Sequence, residues 1–256
     1  MSSAVSPVPA PGAEPITARS GTFLDRTARW WFAGNAVVAW AGVVLQAWLT
    51  IGNVYPAGGN EYGEIDYHNA DGFLGTLGHT FDFFTFFTTW ANVLVAVTVT
   101  MLALDPHRDS RVFRVVRNSA LLMISITAIV YAVILAPGAV HVGWQVPMNV
   151  LMHQLTPLGT LVVWAVIGPR RWISWLDVPL ALVIPVVWVV WMLVRGAVIE
   201  AYPYGFINVI NLGYATALRN IVGILLAGAV VMVVFKGADA LLGRLHREEG
   251  GAVSVG

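Results

Sequence analysis

The sequence predicts an all-α fold: an integral membrane bundle of six transmembrane helices with both termini cytoplasmic. Three observations predict it. The 256 residues are 57% hydrophobic and 11% charged, whereas a soluble domain carries about 25% charged residues. Six apolar stretches, approximately 28–51, 79–104, 118–136, 148–168, 178–200 and 214–236, each reach roughly the 20 residues a bilayer core requires. Lipid tolerates no unpaired backbone, so each is expected to be helical. Finally, basic residues alternate between loops. Arg19, Arg26 and Arg29 precede the first stretch, Arg108, Arg111, Arg114 and Arg117 follow the second, Arg170 and Arg171 follow the fourth, and Lys236, Arg244 and Arg247 follow the sixth. The positive-inside rule makes that side cytoplasmic.

Residues 1–20 are rich in Ala, Pro and Ser and lack a basic start followed by a short apolar core, so they read as a disordered cytoplasmic tail and not a secretory signal. The transmembrane domain is expected over 21–240, its first span acting as an uncleaved insertion signal. The 52–78 loop carries Glu61, Glu64, Asp66 and Asp71 and no Lys or Arg, as an outer loop should. Its aromatics, Tyr55, Tyr62, Tyr67 and Phe73, suit a cap over the outer mouth, and equally a surface connector. Pro157 in the fourth span and Pro185 in the fifth remove backbone bonds and can bend their helices. Residues 241–256 read as a second cytoplasmic tail. With no cysteine, disulfides, thiolate catalysis and cysteine-bound metals are excluded. Zero net charge and the lack of a basic face outside the loops give no sign of a nucleic-acid partner.

Two spans carry polar residues at helical spacing. His79, Asp82, Thr85, Thr89 and Asn92 share one face of the second, and Asn149, His153, Thr156 and Thr160 share one face of the fourth. Polar groups in a span usually face the interior and mark function. Counted inward from the outer boundary, Thr85 and His153 each lie about 9 Å deep, and Arg195 and Arg219 fall in the same layer. Thr85 and His153 are the expected catalytic pair, hydroxyl nucleophile and imidazole base. Asp82 could orient an imidazole, and Asn92, Asn149 or an arginine could hold an oxyanion. Arg195, Arg219, His79 and Tyr202 are candidates for substrate binding, with Arg195 or Arg219 meeting the acid group of a fatty substrate. Each residue also has a structural reading: a threonine bonds its own i−4 carbonyl, a histidine links helices, and Asp82 neutralises an arginine.

The segments FDFFTFFTTW (81–90), NVLMHQLTP (149–157) and YPY (202–204) resemble, in order and on corresponding spans, landmarks of the androgen-induced and androgen-dependent TFPI-regulating membrane proteins. The resemblance covers short patches between Asp82 and Tyr204. It implies a multi-pass threonine hydrolase acting on fatty acid esters of hydroxy fatty acids or similar lipids, with Thr85 as nucleophile and His153 as catalytic histidine. It also matches Tyr202 and Pro203 to a Tyr-Pro pair without an assigned role. The outer loop, the N-terminal tail, Arg195 and Arg219 have no counterpart in it. The arginine-rich, lysine-poor composition looks bacterial and suggests a plasma (inner) membrane location. The expected partners are the bilayer and a membrane lipid or fatty acyl ester substrate, with no metal or cofactor. The alternatives are a non-catalytic lipid-binding protein, a haem protein ligated by His79 and His153, or a small transporter, although the halves show no repeat.

Overall fold

The computed structural model describes residues 23–54, 65, 69 and 72–252. The expected N-terminal tail and most of the outer loop, including Tyr55, Tyr62 and Tyr67, lie outside the described residues.

Among the described residues every regular element is helical. In chain order they are α1 (Phe23–Ile51), α2 (Phe73–Phe83), α3 (Phe87–Leu104), α4 (Arg111–Val130), α5 (Gln145–Val150), α6 (Thr156–Val166), α7 (Asp177–Ala181), α8 (Val183–Ile199) and α9 (Val209–Ala252). A π-helical turn, Tyr131–Leu135, prolongs α4, and a second, Leu151–Leu155, joins α5 to α6. A kink at Gly213, with φ 72°, interrupts α9. Only glycine enters that conformation without strain.

Among the described residues five helices are long and apolar enough to cross a membrane: Asp25–Ile51, Phe87–Leu104, Arg111–Gly138, Asp177–Ile199 and Val209–Leu245. The fourth expected span is helical from 145 to 166 but is not among them. Asn149, His153, Gln154, Thr156 and Thr160 dilute its apolar character. The second expected span also differs, because Phe84, Thr85 and Phe86 break it into α2 and α3. Six of the residues assigned to the outer loop, 73–78, belong to α2, and α9 continues into the expected C-terminal tail.

The molecule exposes apolar side chains and buries many polar ones among the apolar residues of its core. Val222, Leu226, Val230 and Val234 line one exposed face of α9 at four-residue spacing, while Thr89, Asn92, Thr156 and Ser119 are buried. Water as solvent would sort them the other way; lipid favours this arrangement. Small residues set the central packing. Ala36 and Ala39 of α1 meet Ala91, Val95 and Ala96 of α3, with Ala120, Met123 and Ile124 of α4 behind them, and small side chains let helix backbones approach closely. A second cluster of Phe86, Trp188, Met192, Tyr202, Tyr204 and Ile207 packs around the α2–α3 break, and Ile65 of the outer loop is buried in it.

Candidate functional site

The break at 84–86 leaves backbone groups without helical partners, and side chains distant in sequence satisfy them. The indoles of Trp90 and Trp191 both donate to the Phe84 carbonyl, at 2.8 and 3.0 Å. Trp188 donates to the Thr85 carbonyl at 3.1 Å. At the start of α3 the Phe87 amide donates to the Tyr204 hydroxyl at 3.1 Å, and Thr88 bonds the same hydroxyl through both backbone and side chain. Burial pushes the Tyr204 phenol above its ordinary range, so it stays protonated. Unmade bonds in lipid each cost several kcal/mol, so these partners hold the break open as a defined feature.

The break decides which threonine meets the histidine. Thr85 is fully buried and its hydroxyl donates to the Phe81 carbonyl at 2.7 Å. The hydroxyl beside His153 is that of Thr88, in the first turn of α3, with Oγ1 3.3 Å from Nε2. Thr88 is only half-buried. Thr88 was not among the sequence-derived candidates. Its signal was available, because Phe-Phe-Thr occurs twice in succession, at 83–85 and 86–88.

His153 lies in one π-helical turn and stacks on Tyr131, the first residue of the other, with ring centroids 4.3 Å apart and planes inclined by 26°. Such turns recur at functional sites because they displace side chains from helical register. Nε2 of the ring faces Thr88 Oγ1, and it can accept the hydroxyl proton when the neutral ring carries its own proton on Nδ1. Asn149 Nδ2 donates to the Tyr131 hydroxyl at 2.7 Å, and His141 Nε2 lies 3.3 Å from the same hydroxyl. Asn92 ties the two sides together, its Nδ2 donating to the Thr88 carbonyl at 2.9 Å and to the Met152 carbonyl at 3.2 Å. Thus Asn92 and Asn149 position Thr88, Tyr131 and His153.

The remaining candidates lie elsewhere. Asp82 is ion-paired with Arg195 and accepts a bond from Asn69 Nδ2 at 2.6 Å. Asn69 also meets His79 Nδ1 at 3.1 Å, so His79 belongs to this network at the outer loop, not to the surroundings of His153. The pairing satisfies the buried carboxylate and neutralises the charge of Arg195. Arg219 is exposed on α9, not in the interior layer expected for it. Tyr202 is buried against Gly196, where a Cβ would stand 2.3 Å from its ring, and bonds Tyr214. Among the described residues no group of three or more His, Asp or Glu is placed to hold a metal ion.

Thr88 opens onto an apolar cleft formed with Ile126, Thr127 and Val130 of α4, Pro185, Trp188 and Val189 of α8, Tyr204, and Ile221, Ile224 and Leu225 of α9. Its empty volume is ≈ 690 Å³, open space at the mouth included. No family model, curated protein or solved structure matches this chain.

Proposed function

We propose that this protein is an intramembrane hydrolase of lipid esters, with Thr88 as nucleophile and His153 as general base. The observation that carries the reading is the 3.3 Å approach of Thr88 Oγ1 to His153 Nε2 at the edge of an apolar cleft. A hydroxyl is a weak nucleophile until a base takes its proton. Here His153 Nε2 takes the Thr88 proton as Oγ1 bonds to the acyl carbon. The ester C–O bond then breaks, and the leaving alkoxide receives the proton from His153. Water attacks the acyl-threonine by the same route, releasing the fatty acid and restoring Thr88. The acyl chain lies in the cleft. The resemblance of 81–90, 149–157 and 202–204 to threonine hydrolases supports this chemistry, with the nucleophile assigned three residues later than that resemblance implied.

The same reading makes the helix over 145–166 a sixth span, with both termini cytoplasmic, a plasma-membrane location and a cleft in the outer half of the bilayer. The basic residues concentrated on one side support that topology. Purified protein in nanodiscs should release fatty acid from long-chain esters. Thr88→Ala and His153→Ala should each abolish release while the protein stays folded. Undiminished release by Thr88→Ala rules out the proposed nucleophile.

A further inference from the structure

Hydroxyls inside apolar helices ordinarily donate to the carbonyl one turn back, because nothing else in lipid will accept the proton. This protein follows that habit repeatedly: Thr85 donates to Phe81, Thr98 to Leu94, Thr100 to Ala96 and Ser125 to Leu121, at 2.6–2.7 Å. Thr89, Ser119, Thr127 and Thr156 depart from it, each a buried hydroxyl without a hydrogen-bond partner. Of these four only Thr127, 4% exposed, lines the apolar cleft. A buried hydroxyl left unpaired beside an open cleft is costly unless a ligand completes it.

The cleft also lacks something. No lysine or arginine lines it among the described residues. The two interior candidates for a cation are neutralised or absent: Arg195 is paired with Asp82, and Arg219 lies on the exposed surface. An ionised carboxylate entering this space would lose its hydration with no opposite charge to meet it. A neutral acyl chain would lose nothing comparable.

We infer that the cleft selects uncharged lipids carrying a hydrogen-bond acceptor, such as the carbonyl of a neutral long-chain ester, and that Thr127 is the donor that recognises that acceptor. The inference rests on the hydrolase reading for its setting. It narrows the substrate class to esters without a free acid group, in contrast to acid-bearing esters held by an arginine.

The test is photo-crosslinking in nanodiscs with a matched pair of probes, a diazirine-bearing long-chain methyl ester and the corresponding free acid. It is run at about pH 9.5, where the acid is ionised even after the rise in pKa that a lipid surface brings. Labelled peptides are identified by mass spectrometry, and turnover of the unlabelled methyl ester is followed in parallel. The ester should label peptides of α4 and α9 at the cleft, with the acid at least tenfold weaker. Thr127→Val, nearly the same shape but without the donor, should weaken ester labelling roughly three- to tenfold, the effect of one neutral hydrogen bond. Thr127→Ser should restore it. Equal labelling by acid and ester in the wild-type protein overturns the inference without recourse to any variant, and so does undiminished labelling of folded Thr127→Val. Labelling needs no chemistry, so the two readings fail separately. Selective, Thr127-dependent labelling without hydrolysis removes the enzyme and keeps the binding site. Hydrolysis indifferent to Thr127 and to charge does the reverse.

Discussion

The two adjacent Phe-Phe-Thr triplets permit a direct comparison of threonines three residues apart. Thr88→Val removes Oγ1 while nearly keeping the side-chain shape. It deletes the 3.3 Å approach to His153 and the bond with Tyr204. Two neutral hydrogen bonds are worth about 1–3 kcal/mol together, which should lower the unfolding midpoint in detergent without unfolding the protein. If Thr88 is the nucleophile as proposed, its effect on ester hydrolysis should be far larger, at least about 10⁴-fold in kcat. Thr85→Val deletes one bond, to the Phe81 carbonyl at 2.7 Å. Its stability cost should be about 1 kcal/mol, and a 1.4 kcal/mol disturbance passed entirely to the transition state would change the rate by about tenfold. The two variants should therefore be similar in stability and separated by about three orders of magnitude in turnover. Fatty-acid release from a long-chain ester and thermal unfolding, measured on the same preparations, decide it. A Thr85→Val protein that folds and has lost all turnover, beside an active Thr88→Val, would show that the break does not set the register argued here.

Four further substitutions probe the supports of the site and of the fold around it. Asn92→Leu leaves the Thr88 and Met152 carbonyls without their side-chain donor; it should cost about 2 kcal/mol in thermal or denaturant unfolding and, on the proposed mechanism, reduce kcat more than KM, because it loosens Thr88 and the turn that carries His153. Trp188→Phe keeps an aromatic ring but strands the Thr85 carbonyl, and unfolding should show a loss of about 1–3 kcal/mol. Arg195→Met leaves the Asp82 carboxylate buried without its ion pair; the expected cost is about 3–5 kcal/mol, largely recovered in the Asp82→Asn/Arg195→Met double variant. Gly196→Ala would set a Cβ against the Tyr202 ring, an overpacking that should lower the unfolding midpoint by an amount equivalent to about 1–3 kcal/mol.

The helical class and the apolar stretches were legible because hydropathy over twenty residues is a local property, and lipid allows such a stretch little but helix. Details of the second span were not. Residues 84–86 contain no glycine or proline, the residues that usually announce a break. The interruption is held by Trp188, Trp191 and Tyr204, about a hundred residues away, so no local window contains its cause. A less direct signal existed. Indole N–H groups in an apolar span need acceptors, and an unbroken helix has few carbonyls to give. Trp90, Trp188 and Trp191 together implied free carbonyls somewhere in the bundle. His153 was readable as an interior residue because it shares its face with Asn149, Thr156 and Thr160. Its stacking partner Tyr131 was not, since a lone tyrosine in an apolar run has no periodicity to betray it. Asp82 and Arg195 followed the plainest rule, pairing to neutralise a buried charge.

The interruption of the second span and the two π-helical turns act on the same problem. An uninterrupted α-helix in lipid consumes its own amides and carbonyls and holds its side chains in fixed register, which leaves little freedom to bring two reactive groups together. Breaking one helix at 84–86 resets the register so that Thr88, in the first turn of α3, stands half-buried at the cleft. Widening the other at 151–155 carries His153 toward it, and the matching turn at 131–135 supplies the ring against which His153 stacks. Each departure exposes backbone groups that lipid would penalise, and side chains meet them: tryptophan indoles and Tyr204 at the break, and the Asn92 amide at the Met152 carbonyl. Buried hydroxyls are met less completely: those of Thr89, Ser119, Thr127 and Thr156 have no partner in the protein. Of these Thr127 alone lines the cleft, so its hydroxyl is the one that a guest in that space could complete.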